Sequence, residues 1–165
     1  MKGIFLSIIL LSSIVICLEP REDKDTYLIV FTNNEIRVPD GKPTVSGTTV
    51  LIEKPGFYLA TGESEEGNIV IKSSQVILYL LNLKLTSSKT APIIITSNLK
   101  DVEIINLENT ELNDLENKST TEGECAVIKI KKNTIVSFRN NDILKMNGDC
   151  KYTIKGGIQT SIIFQ

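Results

Sequence analysis

One feature constrains this chain more than any other: the stretch from Ile69 to Asn109 is nearly the same segment written twice. Val70-Ile71-Lys72-Ser73 returns as Ile94-Ile95-Thr96-Ser97, and Leu78-Tyr79-Leu80-Leu81-Asn82-Leu83 returns as Val102-Glu103-Ile104-Ile105-Asn106-Leu107. Both matches have an offset of 24 residues. A unit that short cannot bury its own apolar face, so successive copies must stack as a solenoid does. Within each copy the apolar residues alternate in short runs, which is the period of a strand and not of a helix. The runs end at Ser, Asn or Lys, so the chain turns every few residues. Ile and Val, which dominate the apolar content, suit strand positions that stack on their like. Together these features predict an all-β fold, a short single-stranded parallel β-helix of about four coils.

The ends of the chain differ from this pattern. Lys2, the apolar run Ile4 to Ile16 and the abrupt polarity of Glu19-Pro20-Arg21-Glu22-Asp23 read as a secretory signal peptide over residues 1–17. The run is too short to span a membrane as a helix, so no integral segment is expected after cleavage. Cys17 as a lipid-bearing residue fits less well, because Ile16 precedes it. Residues 18–47 read as a charged tail followed by a cap. In the cap, Tyr27 to Phe31 and Glu35 to Val38 form a hairpin, and Pro39-Asp40-Gly41-Lys42-Pro43 turns the chain. A cap is needed because the first coil otherwise exposes apolar interior and unpaired edge groups. Coils then occupy residues 48–165, interrupted by a polar insertion from Glu111 to Glu124.

The leader implies a secreted or cell-surface location, and that gives the cysteines a meaning. Cys125 and Cys150 remain as an even pair in an oxidising compartment, which favours a disulfide; two buried thiols are the alternative. Closing a loop of about 25 residues is worth about 3 kcal/mol in the chain-entropy account. Asn117-Lys118-Ser119 is a glycosylation acceptor at Asn117 if the source is eukaryotic. Asn82 and Asn106 occupy the same point of the two matched copies, where stacked amides form a structural ladder that Asn140 or Asn141 extends.

Little chemistry is visible beyond this. With 18 Lys and Arg against 20 Asp and Glu, no basic field favours nucleic acid. The chain has no His for general-base work, no Gly-rich phosphate loop and no nucleophile motif. Calcium is a better fit than catalysis, because it takes hard oxygen ligands of the kind concentrated at the turns. Its candidate ligands are Asp101, Glu103, Glu108, Asn113 and Asp114, with Asn109, Asn141 and Asp142 nearby.

In order and spacing the chain resembles the polygalacturonate-binding β-helix family, whose members are described as carbohydrate-binding domain-containing proteins. The resemblance runs over roughly residues 48–157. It is carried by Val50-Leu51-Ile52, Gly56-Phe57-Tyr58-Leu59, Gly62 with the acidic stretch to Gly67, and Ile69-Val70-Ile71. It continues through Val76 to Leu80, Asn82-Leu83-Lys84-Leu85, Ala91 to Ile95, Val102-Glu103-Ile104, Leu112, Asp114 and Ala126 to Ile130. Asp114 is the family's acidic position that carries over best. Thr110 stands where the family has Asn, Asn109 where it has Gly, and relatives continue past Gly156-Gly157. The resemblance implies a right-handed helix, architecturally related to pectate lyases, that binds acidic polysaccharide without cleaving it and holds calcium in its coils. Exposed lysines such as Lys84, Lys129, Lys131 and Lys132 are the other means of holding an acidic polymer. Two further readings stand beside this one. The first is a structural or adhesive surface rod that binds no glycan. The second is a pectate-lyase-like enzyme, for which Arg139 is the one arginine in the coils.

Overall fold

The computed structural model describes residues 25–33, 35–115, 126–148 and 152–165. In chain order these form β1 (Thr26–Phe31), β2 (Ile36–Arg37), β3 (Thr44–Ser46), β4 (Thr49–Ile52), β5 (Gly56–Ser64), β6 (Asn68–Ile71), β7 (Val76–Ser87) and β8 (Ile93–Ile95). They continue with β9 (Val102–Glu108), β10 (Thr110–Asp114), β11 (Ala126–Ile130), β12 (Ile135–Asn140), β13 (Leu144–Gly148), β14 (Tyr152–Gly156) and β15 (Ser161–Phe164). The fold is all-β, with no helix among the described residues.

From β4 onward the chain passes back and forth between two sheets, with β9 and β10, and again β12 and β13, consecutive in the larger one. The smaller sheet has the order β14-β11-β8-β6-β4-β3, and the larger runs β15-β12-β9-β7-β5-β1-β2, with β10 and β13 extending it alongside β7. Each strand from β4 to β15 pairs in parallel with its counterpart one pass earlier or later. The sheets are nevertheless mixed. β2 folds back antiparallel on β1, with Phe31 opposite Ile36, and β3 folds back antiparallel on β4. The expected hairpin therefore forms, while β1 itself joins the larger sheet as a parallel neighbour of β5.

The repeated segment explains the core. In the smaller sheet Val50, Ile69, Ile93, Ile128 and Ile154 fall in one register row, and Ile52, Ile71, Ile95 and Ile130 in the next. All but Ile154 are at most 1 % exposed. In the larger sheet Tyr58, Leu78, Ile104 and Phe138 share a row that faces them. Tyr58 is wholly buried, and its hydroxyl donates to the Lys54 carbonyl at 2.8 Å. Burial, followed by the nearby Tyr27, pushes its phenol above the usual tyrosine range. Each buried Ile or Leu contributes about 1.5–3 kcal/mol by removal from water.

The offset of 24 holds only for half of the repeat. Ile69, Val70 and Ile71 pair with Ile93, Ile94 and Ile95 at that offset. In the larger sheet, however, Leu78 pairs with Ile104 and Leu80 with Asn106, two residues further on. The turn at Thr96 to Asp101 is two residues longer than the one at Lys72 to Gln75. A two-residue slip leaves every side chain on its original face, so the apolar pattern does not register it.

The same slip corrects the amide ladder. Asn82 does not stack on Asn106. It is the extra residue of a bulge, lying between Leu81, opposite Thr61, and Leu83, opposite Gly62. Its φ is +46°, a left-handed conformation that Asn tolerates better than most side chains. Asn106 instead pairs with Asn140 and donates to its Oδ1 at 2.8 Å, and to the Asp142 carbonyl at 3.0 Å. At Gly62, across the bulge, φ is +98° and an added Cβ would lie 2.2 Å from the Phe31 carbonyl oxygen. Only glycine fits there.

Replacing Ile95 by Ala should lower the unfolding free energy by about 2–5 kcal/mol in a denaturant titration. A loss below about 1 kcal/mol would show that the stacked isoleucine row is not the core of the fold.

Candidate functional site

Side chains that alternate with the buried rows point outward. On the smaller sheet one outward row reads Leu51, Val70, Ile94, Lys129 and Lys155. Its last two members lie directly beside each other on β11 and β14. Lys131 and Lys132 follow β11 in the turn to β12, and with Ser97, Ile130 and Gly157 the four lysines line an open pocket of about 320 Å³. Lys129, Lys131 and Lys132 were legible in the sequence as outward cations; Lys155 was not, because it comes from a different strand.

The lysine turn is held firmly. The Lys131 amide donates to the Ile95 carbonyl at 2.8 Å, and the Lys131 carbonyl accepts from the Thr160 hydroxyl at 3.2 Å. The Lys132 carbonyl accepts from the Asn98 amide at 3.1 Å. Asn98 and Asn133 both have left-handed φ values, +65° and +56°, and the Asn133 amide side chain donates to Asn98 Oδ1 at 3.0 Å. Beneath them the wholly buried Thr134 donates its hydroxyl to the Thr96 carbonyl at 2.9 Å, with the Lys132 carbonyl also within reach at 3.2 Å. Gly157 packs so closely that an added Cβ would lie 2.7 Å from the Lys132 amide nitrogen.

Electrostatics separate Lys131 and Lys132 from two of the other lysines. Lys72 is 3.1 Å from Glu53 and Lys84 is 2.7 Å from Glu63. The hydrogen bond to Glu63, and then its charge, raise the Lys84 ammonium above its ordinary value. Among the described residues, neither Lys131 nor Lys132 is in an ion pair. Lys155 extends over the Tyr152 ring, 5.9 Å from its centre.

The candidate calcium ligands are dispersed. Asp101 is an exposed turn residue with φ +56°, whose carbonyl accepts from the Val76 amide. Glu103 is paired with Arg139 at 2.8 Å. Glu108 accepts from the Asn82 side chain at 2.9 Å. Asn113 donates to Thr86 Oγ1 and Glu111 Oε1 and accepts from Asn147 at 2.8 Å. Asp114, wholly buried, ends β10 in register with Ser87 and Gly148. Asn109 lies at the β9–β10 break, where its amide donates to Asp142 at 3.3 Å, and Asn141 donates its amide to the Asn106 carbonyl. Among the described residues no three His, Cys, Asp or Glu side chains converge as a metal site. The donor set named from the sequence therefore does not form one cage. Cys125, Cys150 and Asn117 lie outside the described residues, as does the leader.

Residues 46–164 match the family described as carbohydrate-binding domain-containing protein. No curated protein and no solved structure matches the chain.

Changing Thr134 to Val should cost about 1–3 kcal/mol, the penalty for leaving buried groups without their hydrogen-bond partner. Amide exchange at Leu99 and at residues 131–133 should quicken beyond the global change. Unchanged exchange there would mean that Thr134 does not hold the lysine turn.

Proposed function

The chain belongs to this carbohydrate-binding family, and from that premise we propose that it is a secreted, non-catalytic module that holds acidic, polygalacturonate-like polysaccharide. The observation that carries the acidic specificity is the lysine pocket, which concentrates four cations on a chain whose formal net charge is −2. In this reading the two ladders are the walls of a right-handed parallel β-helix. The repeated return of the chain from one sheet to the other supports it, as does the right-handed rule for parallel crossovers. The turn-bound lysines are held before any ligand arrives, which reduces the entropy lost on binding.

Arg139, the arginine a lyase-like reaction would call on, is engaged by Glu103 at 2.8 Å, which favours binding over cleavage. Because no three acidic donors converge among the described residues, no step of this reading passes through a protein-held calcium. Secretion and a Cys125–Cys150 disulfide belong to the same proposal. The strands next to those cysteines are neighbours, with Ala126 opposite Tyr152. A rod-like adhesive role is the second reading. It is favoured by the outward row Leu28, Leu59 and Tyr79 on the larger sheet, half-buried apolar side chains across three strands, with the buried Ile105 next in register.

Purified chain should sediment with insoluble polygalacturonate and release no unsaturated product. Sedimentation with no polysaccharide would overturn the binding role, and product release would make it an enzyme. Titration of the unreduced, denatured chain with a thiol reagent should find residues 125 and 150 unreactive; labelling of both would exclude the disulfide.

A further inference from the structure

The two ends of the stack are finished differently. At the first pass β2 folds back on β1 and β3 on β4, so short antiparallel strands cover the entry edges of both sheets. At the last pass, among the described residues, β13 pairs only with β10, β14 only with β11 and β15 only with β12. Side chains of the inward rows lie open there. Phe164 stacks on Phe138 with ring centres 5.6 Å apart and is still 70 % exposed, and Leu144 and Met146 are only half-buried. An edge with unpaired amides and carbonyls is a template for one more strand.

Of the three edges, β13 specifies what it accepts, because its outward positions close two polar rows. In the first row Glu63, Lys84, Glu111 and Lys145 alternate in sign from strand to strand. In the second, each side chain donates back to the pass before it: Asn147 to Asn113 Oδ1 at 2.8 Å, and Asn113 to Thr86 Oγ1 at 3.3 Å. Both rows stop at an unanswered group. Lys145 is exposed and, among the described residues, in no ion pair. Asn147 uses its amide nitrogen on Asn113, which leaves its Oδ1 to accept from the far side. The next strand therefore needs an acid beside Lys145, an apolar side chain beside Met146 and a donor beside Asn147. On the other edge of β13, β10 already supplies that pattern with Glu111, Leu112 and Asn113.

A lysine on an edge strand is also the common guard against unwanted pairing. That guard is selective, since like charges directly opposite destabilise a strand pair and opposite charges stabilise it. It disfavours a second copy in the register that sets Lys145 on Lys145, and it admits a strand that carries an acid there. We propose that the free edge of β13 is a docking site for an extended acidic segment of a partner protein. The segment joins the larger sheet as a parallel strand and sets a carboxylate against Lys145. The site is on the other sheet from the lysine pocket and does not depend on carbohydrate binding.

The test adds end-capped peptides to the full chain and follows amide shifts and amide exchange along β13. One peptide has the sequence of residues 110–114, and the other carries Glu111→Lys. The first should shift residues 144–148 and slow their exchange. It should bind about twofold to fivefold more tightly than the second, the difference expected of one exposed charge pair, and high salt should erase the preference. In the chain, Lys145→Gln should make the two peptides equal and Lys145→Glu should reverse their order, with melting temperatures checking that both variants fold. No response of β13 to either peptide, or equal binding of both by the unaltered chain, overturns the assignment. Uniformly slow exchange along residues 144–148 without peptide also overturns it, because both edges of β13 would then be paired already. So do β13 shifts that grow with protein concentration alone, which would make a second copy the occupant.

Discussion

The structure depends on one constraint: parallel strands on successive passes must keep their apolar residues in the same register row. Ile69, Ile93 and Ile128 illustrate it, each wholly buried and each directly beside the last. A one-residue slip would turn every one of them to solvent, so the register is fixed by burial along the whole ladder. Everything outward of those rows inherits its position from them. Lys129 is aligned with Lys155 because Ile128 and Ile130 on either side are committed to the interior. The site follows from the core, and it faces water because the core faces away from it.

Passes of unequal length coexist in this scheme because turns absorb the difference. Ile93 and Ile128 are register neighbours 35 residues apart, whereas Val50 and Ile69 are 19 apart. Left-handed residues mark two of these adjustments: Asn98 and Asp101 lie in the turn that is two residues longer, and Asn82 is the extra residue of the bulge. Asn is suited to those corners, since its short amide supports the conformation and reaches its counterpart on the next pass. Asn98 and Asn133 form such a pair, and within the strands Asn106 pairs with Asn140 and Asn113 with Asn147. Asn106 is 1 % exposed and its Oδ1 has no hydrogen-bond partner, a cost accepted where it sits between Leu80 and Asn140 in its row.

These facts decide what could be read from the sequence. The all-β class and the stacking of Ile69–Ile71 on Ile93–Ile95 were legible, because both are written in apolar alternation. The two-residue displacement of β9 was not, since a period of two is blind to even slips. The Asn82–Asn106 ladder failed for that reason, while its extension to Asn140 proved to be the pair that forms. The antiparallel β3 was hidden because Thr44, Val45 and Ser46 are exposed and carry no pattern. The lysine cluster was legible in part. Alternation exposed Lys129, but only the pairing of β11 with β14 brings in Lys155. Among the described residues no three of the acidic calcium candidates come together, since nearness in sequence along an extended strand is distance in space. Glu103 and Glu108, five residues apart, are separated by about 16 Å of extended chain. Net charge was equally uninformative about the site. Fields of exposed charges are screened beyond about 8–10 Å, so the four lysines that line the pocket set the local potential there more than the chain's overall −2 does.

Register places the lysine pocket on the outer face of the smaller sheet, and the proposed function makes that pocket the seat of an acidic polysaccharide. Amide chemical-shift mapping during titration with a polygalacturonate oligomer tests it most directly. Shifts concentrated at residues 94–98, 129–133 and 155–157, with the larger sheet silent, are the result expected. Shifts centred on the outward row of Leu59, Tyr79 and Ile105 instead, or on Asn113 and Asp114 and only when calcium is present, would contradict it.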